Sequence, residues 1–242
     1  MNKVAIAFLT KDRVELSKRS IVPLLQPDKF DTFLIDGSDT SAGGAFVAER
    51  AERNPSMKVR VNIKGGADPA VVYALTEMLK NDYTHVGLVE NDVLLPPDWF
   101  GPTFLLFERG RSEGLDVGAV SARCYQDRIL CQRSGYAVCH NLGWGMAIFT
   151  RQAAELTLQH MRTHFTTENR RVFARLSGID IGSYWAFRAN EHFLTPDWGN
   201  DAVLASHGLA SLALVPSPCE MIGQNPSLAD QGLKLADAPV ED

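Results

Sequence analysis

Glu90, Asn91 and Asp92 close a short apolar run, Thr84–Val89, inside the stretch THVGLVENDVLLPPDWF, residues 84–100. On an extended chain, side chains two apart share a face, so Glu90 and Asp92 are expected side by side with Asn91 opposite. Neighbouring carboxylates repel unless they are solvated, one takes a proton, or a cation sits between them. Such oxygens suit Mg²⁺ or Mn²⁺, which complete their shells with water and substrate phosphates. The same triplet also fits a plain solvated corner between strand and loop, where Asn and Asp are common. Other polar clusters follow apolar runs in the same way: Thr10-Lys11-Asp12-Arg13, Asp36-Gly37-Ser38-Asp39 and Gly65-Gly66. Arg13 and Arg123 also follow such runs, and singly each reads as a surface charge rather than a phosphate partner.

The elements that must position these clusters alternate. Val4–Leu9, Phe30–Ile35, Lys58–Ile63 and Thr84–Val89 read as strands, the β-branched and apolar runs of a sheet covered on both faces. Helices are expected between them, from Val14 to Leu25 (stopped by Pro27), from Ala45 to Arg53, and from Pro69 to Lys80 with Asp68 as its cap. Strand–helix alternation predicts a parallel, doubly wound sheet. In such a sheet all four polar clusters would gather on the edge where the strands end. The second half is less regular. Leu115–Ala122, Met146–Phe149 and Leu212–Val215 read as strands; Arg151–Met161, Thr166–Leu176, Asp180–Asn190 and Ala202–His207 read as helices.

Composition narrows the classes. A chain of 242 residues with 45% hydrophobic and 22% charged residues is long enough for one large α/β core. A net charge of −5 without a Lys/Arg stripe argues against nucleic acid. Cys124, Cys131, Cys139 and Cys219 lack zinc-ligand spacing and read as reduced, buried thiols of a cytosolic protein. The run Val4–Leu9 is too short for a signal-peptide core, and no run nears the roughly 20 apolar residues of a membrane span. The expected location is cytoplasmic, free or peripheral at the inner membrane face. No G-x-G-x-x-G follows Leu9, which argues against a nicotinamide or methyl-donor enzyme.

In order and spacing, these loops resemble the GT-A glycosyltransferases, and within them the family-2-like enzymes, from Val4 to Val215. FLIDGSD, residues 33–39, is similar to the acidic element that meets the nucleoside, and Glu90-Asn91-Asp92 is a loose form of the family's D-x-D motif, with Glu in place of the first Asp. The resemblance implies a single GT-A-type, Rossmann-like domain over residues 1–216, with a mostly parallel central sheet, helices on both faces and a mobile tail at 217–242. Residues 1–122 would be the nucleotide-sugar-binding half and 123–216 a less regular acceptor-side half. It implies a metal-dependent transfer of a hexose from a nucleoside-diphosphate sugar, a UDP-sugar first, to a hydroxyl on a glycan, a lipid-linked or a small-molecule acceptor, with inversion. Thr10, Asp12, Arg13, Asp36, Gly65, Gly66, Glu90, Asn91 and Trp144 would hold the donor. Asp92, Glu90 and His207 would hold Mn²⁺ or Mg²⁺, and Asp201, with Asp197 as its rival, would be the base. Trp144, Trp185 and Trp198 could stack on sugar faces. Read singly, His207 is a helix-end cation and Asp201 an acid near a helix start. Two other readings compete. A catalytically silent domain of the same fold would bind a glycan or a partner. A sugar nucleotidyltransferase would want a Gly-rich, Arg-containing first loop, and Thr10–Arg13 has no glycine.

Overall fold

A computed structural model of the chain describes residues 2–63, 67–143, 145–164 and 196–222. Its strands are β1 (Val4–Thr10), β2 (Asp31–Asp36), β3 (Lys58–Arg60), β4 (His85–Glu90), β5 (Val93–Leu94), β6 (Val117–Ser121), β7 (Ile129–Arg133), β8 (Tyr136–Cys139), β9 (Met146–Thr150), β10 (Ala210–Leu214) and β11 (Glu220–Met221). Its helices are α1 (Val14–Ser20), α2 (Ser41–Arg53), α3 (Ala67–Leu79), α4 (Phe100–Ser112), α5 (Arg151–His164) and α6 (Pro196–Ser206).

Nine strands form one sheet in the order β3-β2-β1-β4-β9-β6-β10-β8-β7, while β11 pairs with β5 alone. β1 is parallel to β2 and β4, β2 to β3, and β6 to β10. β9 runs against β4 and β6, and β8 against β10 and β7. The central sheet is therefore mostly parallel, as expected. Every residue of β1 is buried, and its side chains alternate between two cores. Ala5, Ala7 and Leu9 meet residues of α3, α5 and α6, such as Leu75, Leu158 and Leu204. Val4, Ile6 and Phe8 meet those of α2 and α4, such as Phe46 and Leu106. Complete burial of Ile6 and Phe8 contributes roughly 1.5–3 kcal/mol each.

Several boundaries differ from the sequence expectation for local reasons. α1 stops at Ser20, and a 3-10 turn at Val22–Leu24 follows, because Pro23 cannot continue an α-helix. Its buried face carries Ser17 and Ser20. α2 starts at Ser41, four residues before the expected Ala45, because the Thr40 side chain caps it by accepting from the Gly43 amide. α3 already includes Asp68, which therefore does not precede the helix as a cap. β3 is shorter than expected, and Asn62 beyond it has a φ of 64°. The β7–β8 hairpin was not foreseen. Residues 217–222 are not a loose tail: β11 pairs with β5, and the Ser217 hydroxyl donates to the Ala122 carbonyl at 3.2 Å. Nor are all four thiols buried; Cys131 is exposed, while burial pushes the Cys139 thiol up to about 12. The helices expected at 166–176 and 180–190 lie outside the described residues. No described helix is long and apolar enough to cross a membrane.

Candidate active site

Strand register puts the polar loops at one height. Thr10 pairs with Asp36, and Leu9 with Glu90. On the other side of β4, Val89 pairs with Met146, so Gly145 sits beside Glu90 and its carbonyl accepts from the Glu90 amide at 2.8 Å. The Gly37 amide donates to the Thr10 carbonyl, and the Ile63 amide to the Asp36 carbonyl. Three of the four predicted loops thus share the edge where β1, β2 and β4 end. The fourth, Gly65-Gly66, and Trp144 lie outside the described residues.

The first two loops are laced together by Asp12 and Ser38. Asp12 adopts a φ of 52°, and its carboxylate accepts from the Asp39 amide, the Thr40 amide and the Thr40 hydroxyl at 2.7–3.0 Å. Partial burial works against the charged carboxylate, but the Thr40 hydroxyl, the two amides and Lys11 outweigh it and hold Asp12 below the usual range. Ser38 accepts from the Asp12 amide and donates to Asp36 Oδ1 at 2.6 Å. Asp36 itself is 3% exposed. Asp12, expected to touch the donor, is therefore first a brace between loops.

A second lacing runs under β1. The Thr10 and Ser17 hydroxyls are 2.7 Å apart, Asn91 Nδ2 donates to Ser17 Oγ at 3.0 Å, and the Ser20 hydroxyl donates to the Asn91 carbonyl. Asn91 is buried and faces α1, so its side chain is spent on positioning the turn after β4. Sequence reasoning had no signal for the two serines beyond their helical spacing.

β4 ends at Glu90, and strand alternation stops there. Glu90 Oε2 leans toward Gly145, 3.7 Å from where a Cβ on that glycine would stand. Asp92, in the turn, meets Arg13 instead: Nη1 donates to Oδ2 at 3.2 Å, both side chains being mostly buried at 17% and 12% exposure. Asp92 Oδ1 is buried with no hydrogen-bond partner among the described residues. A bare buried carboxylate oxygen is costly unless a cation or donor meets it. One or two carboxylates also match how Mg²⁺ and Mn²⁺ are held when substrate phosphates supply further ligands. Asp92 and the neighbouring Glu90 thus fit such an ion. No cluster of three or more His, Cys, Asp or Glu side chains suited to a metal occurs among the described residues.

The other proposed residues fall elsewhere. Asp201 is 5% exposed, inside α6 rather than at its start. Its Oδ1 accepts from the Ser211 hydroxyl, and its Oδ2 accepts from Asn141 Nδ2 at 3.3 Å and the Leu142 amide at 3.2 Å. Ser211 pairs with Ala119, Ala119 with Phe149, and Phe149 with Val86. The Ser211 partner of Asp201 therefore lies four residues below Glu90, about 13 Å along the strands, while its Asn141 partner also meets Arg128. Asp201 braces the loop into β9. α6 leads through Gly208 into the start of β10, so its first turn points back toward the rim. Asp197 lies in that turn, about 6 Å nearer the rim at the helical rise. His207 is corrected outright. It is exposed at the far end of α6, where Nδ1 meets the Ser206 hydroxyl and the Val203 carbonyl. That is the edge where β10 begins, opposite Asp92, so it cannot share an ion with it.

Residues after β6 complete the rim. Arg123 and Arg128 each place their guanidinium carbon 3.9 Å from the centre of the Tyr125 ring, and Arg128 donates to Asn141 Oδ1. The only sequence signal for this cluster was that Arg123 follows a strand.

No family model matches the sequence, and no curated protein sequence does. Solved structures do match in shape. A mannosyltransferase from Pyrobaculum calidifontis, in complex with GDP-Man and Mn²⁺, aligns over 97% of this chain and 81% of its own, with a TM-score of 0.51 and 13% identity. GalNAc-T7 with UDP, GalNAc and Mn²⁺ aligns over 90% of this chain, which spans 43% of that protein, with a TM-score of 0.58 and 10% identity. At such identities the likeness is one of fold. The mostly parallel sheet with helices on both faces is that of the GT-A glycosyltransferases.

Proposed function

We propose that the chain transfers a sugar from a nucleoside-diphosphate sugar, a UDP-sugar first, to a hydroxyl acceptor, with Mn²⁺ or Mg²⁺ and with inversion. The observation that carries this reading is the buried, unpartnered Oδ1 of Asp92 on a rim that also holds Thr10, Asp36 and Glu90. The fold supports it, and both matched structures hold nucleotides or nucleotide sugars with Mn²⁺. Asp92, with Glu90 beside it, would hold the ion. When bound, a divalent cation neutralises charge developing on the leaving diphosphate. Thr10, Asp36 and Arg13 would line the nucleoside side. Asp197 would take the proton from the acceptor hydroxyl, a role transferred from Asp201 because Asp201 is committed to Ser211, Asn141 and Leu142.

One observation favours a second reading, a silent domain that binds donor or glycan without turnover: the Asp201 carboxylate already accepts from Ser211, Asn141 and Leu142. A thermal-shift series with UDP and GDP, each with and without Mn²⁺, separates the cases. Saturation at 100 Kd stabilises by about 2.7 kcal/mol, which moves the melting temperature of a chain this size by about 5 °C or more. We expect a shift that needs the metal, and loss of its metal-dependent part in Asp92→Ala. No shift in the wild type with either nucleotide, or an unchanged one in D92A, would overturn the metal-diphosphate site. Binding without transfer to any hydroxyl would leave the silent reading.

A further inference from the structure

Arg123 leaves β6 at the rim, held by its amide donating to Ser121 Oγ at 2.9 Å. Its guanidinium lies over Tyr125. Its Nη1 is buried and has no hydrogen-bond partner among the described residues. That atom is 3.7 Å from the point where a Gly145 Cβ would stand, as is Glu90 Oε2. Arg123 Nη1 and Glu90 Oε2 therefore flank the same glycine. The segment 217–222 runs across the same region, bonded to Ala122 at one end and, through the Ile222 amide, to the Asp92 carbonyl at the other. Burial works against the charged guanidinium and lowers its proton affinity, with Tyr125, Cys219 and Asp92 acting in the opposite sense and Arg128 adding to the fall.

A buried guanidinium with an unused N–H is as anomalous as a buried carboxylate with an unused oxygen. Here the two occur on one rim, after β6 and after β4: a donor on Arg123 and an acceptor on Asp92. No carboxylate lies within ion-pair distance of Arg123 among the described residues, so an acidic partner does not explain it. Stacking on Tyr125 fixes the plane of the guanidinium and leaves its edge to bond. An acceptor-rich, multiply charged anion satisfies that N–H, and one that also carries a cation satisfies Asp92 Oδ1.

We infer that Arg123 is a binding residue for the diphosphate of the donor and of the released nucleoside diphosphate, acting from the side of the rim opposite Arg13. The inference rests on the proposed glycosyl-transfer reading. It adds a cationic partner that reaches the phosphates from the acceptor-side half of the chain. Gly145 is part of the same site, since a side chain there would stand between Arg123 and Glu90.

Titration calorimetry of Mn²⁺-pyrophosphate and Mn²⁺-UDP into the wild type, Arg123→Gln and Arg123→Lys tests this. Arg133→Gln, in β7, serves as the control. Loss of a charge-assisted hydrogen bond weakens binding by about 10- to 100-fold. We expect that loss for both probes in R123Q, a smaller one in R123K, and none in R133Q. Equal affinity of R123Q and wild type overturns the assignment of Arg123 and leaves the transferase reading standing. No binding of either probe to the wild type overturns both. Should R123Q fail to fold, R123K decides, since wild-type affinity there is incompatible with a stacked, planar donor.

Discussion

Gly43 and Gly44 stand next to each other in the first turns of α2, and the same substitution should have opposite effects at the two positions. A Cβ on Gly43 would lie 2.3 Å from Ser38 Oγ, 2.4 Å from Ser38 Cβ and 3.2 Å from Asp12 Oδ1. Carbon atoms pack at about 3.5–4.0 Å, so the overlap with Ser38 Cβ exceeds about 1 Å. A rotamer change cannot relieve it, because that atom is fixed to the backbone. Ser38 is in turn tied to Asp36 Oδ1 through both its amide and its hydroxyl, and to the Asp12 amide. Replacing Gly by Ala in a helix gains up to about 1 kcal/mol. Overpacking costs about 1–3 kcal/mol, and each loop hydrogen bond lost about 1 more. G43A should therefore be destabilised by about 1–3 kcal/mol. Gly44 is exposed, and an added Cβ meets nothing within 4 Å. G44A should gain about 0.5–1 kcal/mol. Urea denaturation read by far-UV circular dichroism, with equal m-values, measures both. Equal stability of the two variants would refute the tight seat of α2 on Ser38.

Two further predictions separate structure from chemistry. Asp201→Asn should destabilise the fold by about 1–3 kcal/mol, since it replaces a charged acceptor of three donors. Asp197→Asn, in the first turn of α6, should cost under about 1 kcal/mol yet abolish sugar transfer while donor binding persists. The reverse pattern in melting and transfer assays would return the base to Asp201. His85 gives a pH dependence. Burial, with the charge of Arg111 adding to it, brings its pKa down to about 4, and its ring packs against Phe104 and Phe107. The unfolded chain binds this proton near pH 6.5 and the folded one only near 4, so stability falls as pH drops through that window. Discounted for partial solvent screening, the loss is on the order of 1–2 kcal/mol. His85→Gln should flatten that part of a urea-derived stability profile between pH 7 and 4.5, and an unchanged slope would count against the half-buried neutral imidazole.

The first half of the fold was legible because its strands are apolar on both faces and its loops are short. VAIAFL and FLID announce buried strands whatever surrounds them, and register then follows from the parallel alternation. The β7–β8 hairpin was not legible. Most of β7 is exposed at the sheet edge, so Ile129–Arg133 carries no core pattern. The site was legible by loop, less so by residue. Asx and Ser side chains after a strand have the same composition whether they meet a ligand or brace a turn, and Asp12 and Asn91 turned out to brace. The setting of Asp201 was not legible because its helix begins at Pro196 rather than Ala202, which places it in a buried interior position rather than just before the helix. Arg123 was passed over because an arginine after a strand is ordinarily a surface charge; only the burial of Nη1 distinguishes it.

The rim's internal charge balance explains why such a site is stable without its ligand. Asp12 is satisfied by amides and a hydroxyl, and Asp92 lends one oxygen to Arg13. Among the described residues, Asp92 keeps a buried acceptor and Arg123 a buried donor without a hydrogen-bond partner. Each costs about 1–3 kcal/mol in the free protein. Were they aimed at each other, they would close into an ion pair and the rim would be merely structural. They stay apart because Asp92 is drawn toward α1 by Arg13, while Arg123 is held against Tyr125 on the far side of Gly145. Arg13 thus has a second consequence: it keeps Asp92 from collapsing onto Arg123. Replacing Arg13 by Gln should free Asp92 to pair with Arg123, which would weaken the binding of a metal diphosphate while leaving the overall charge of the two remaining groups balanced.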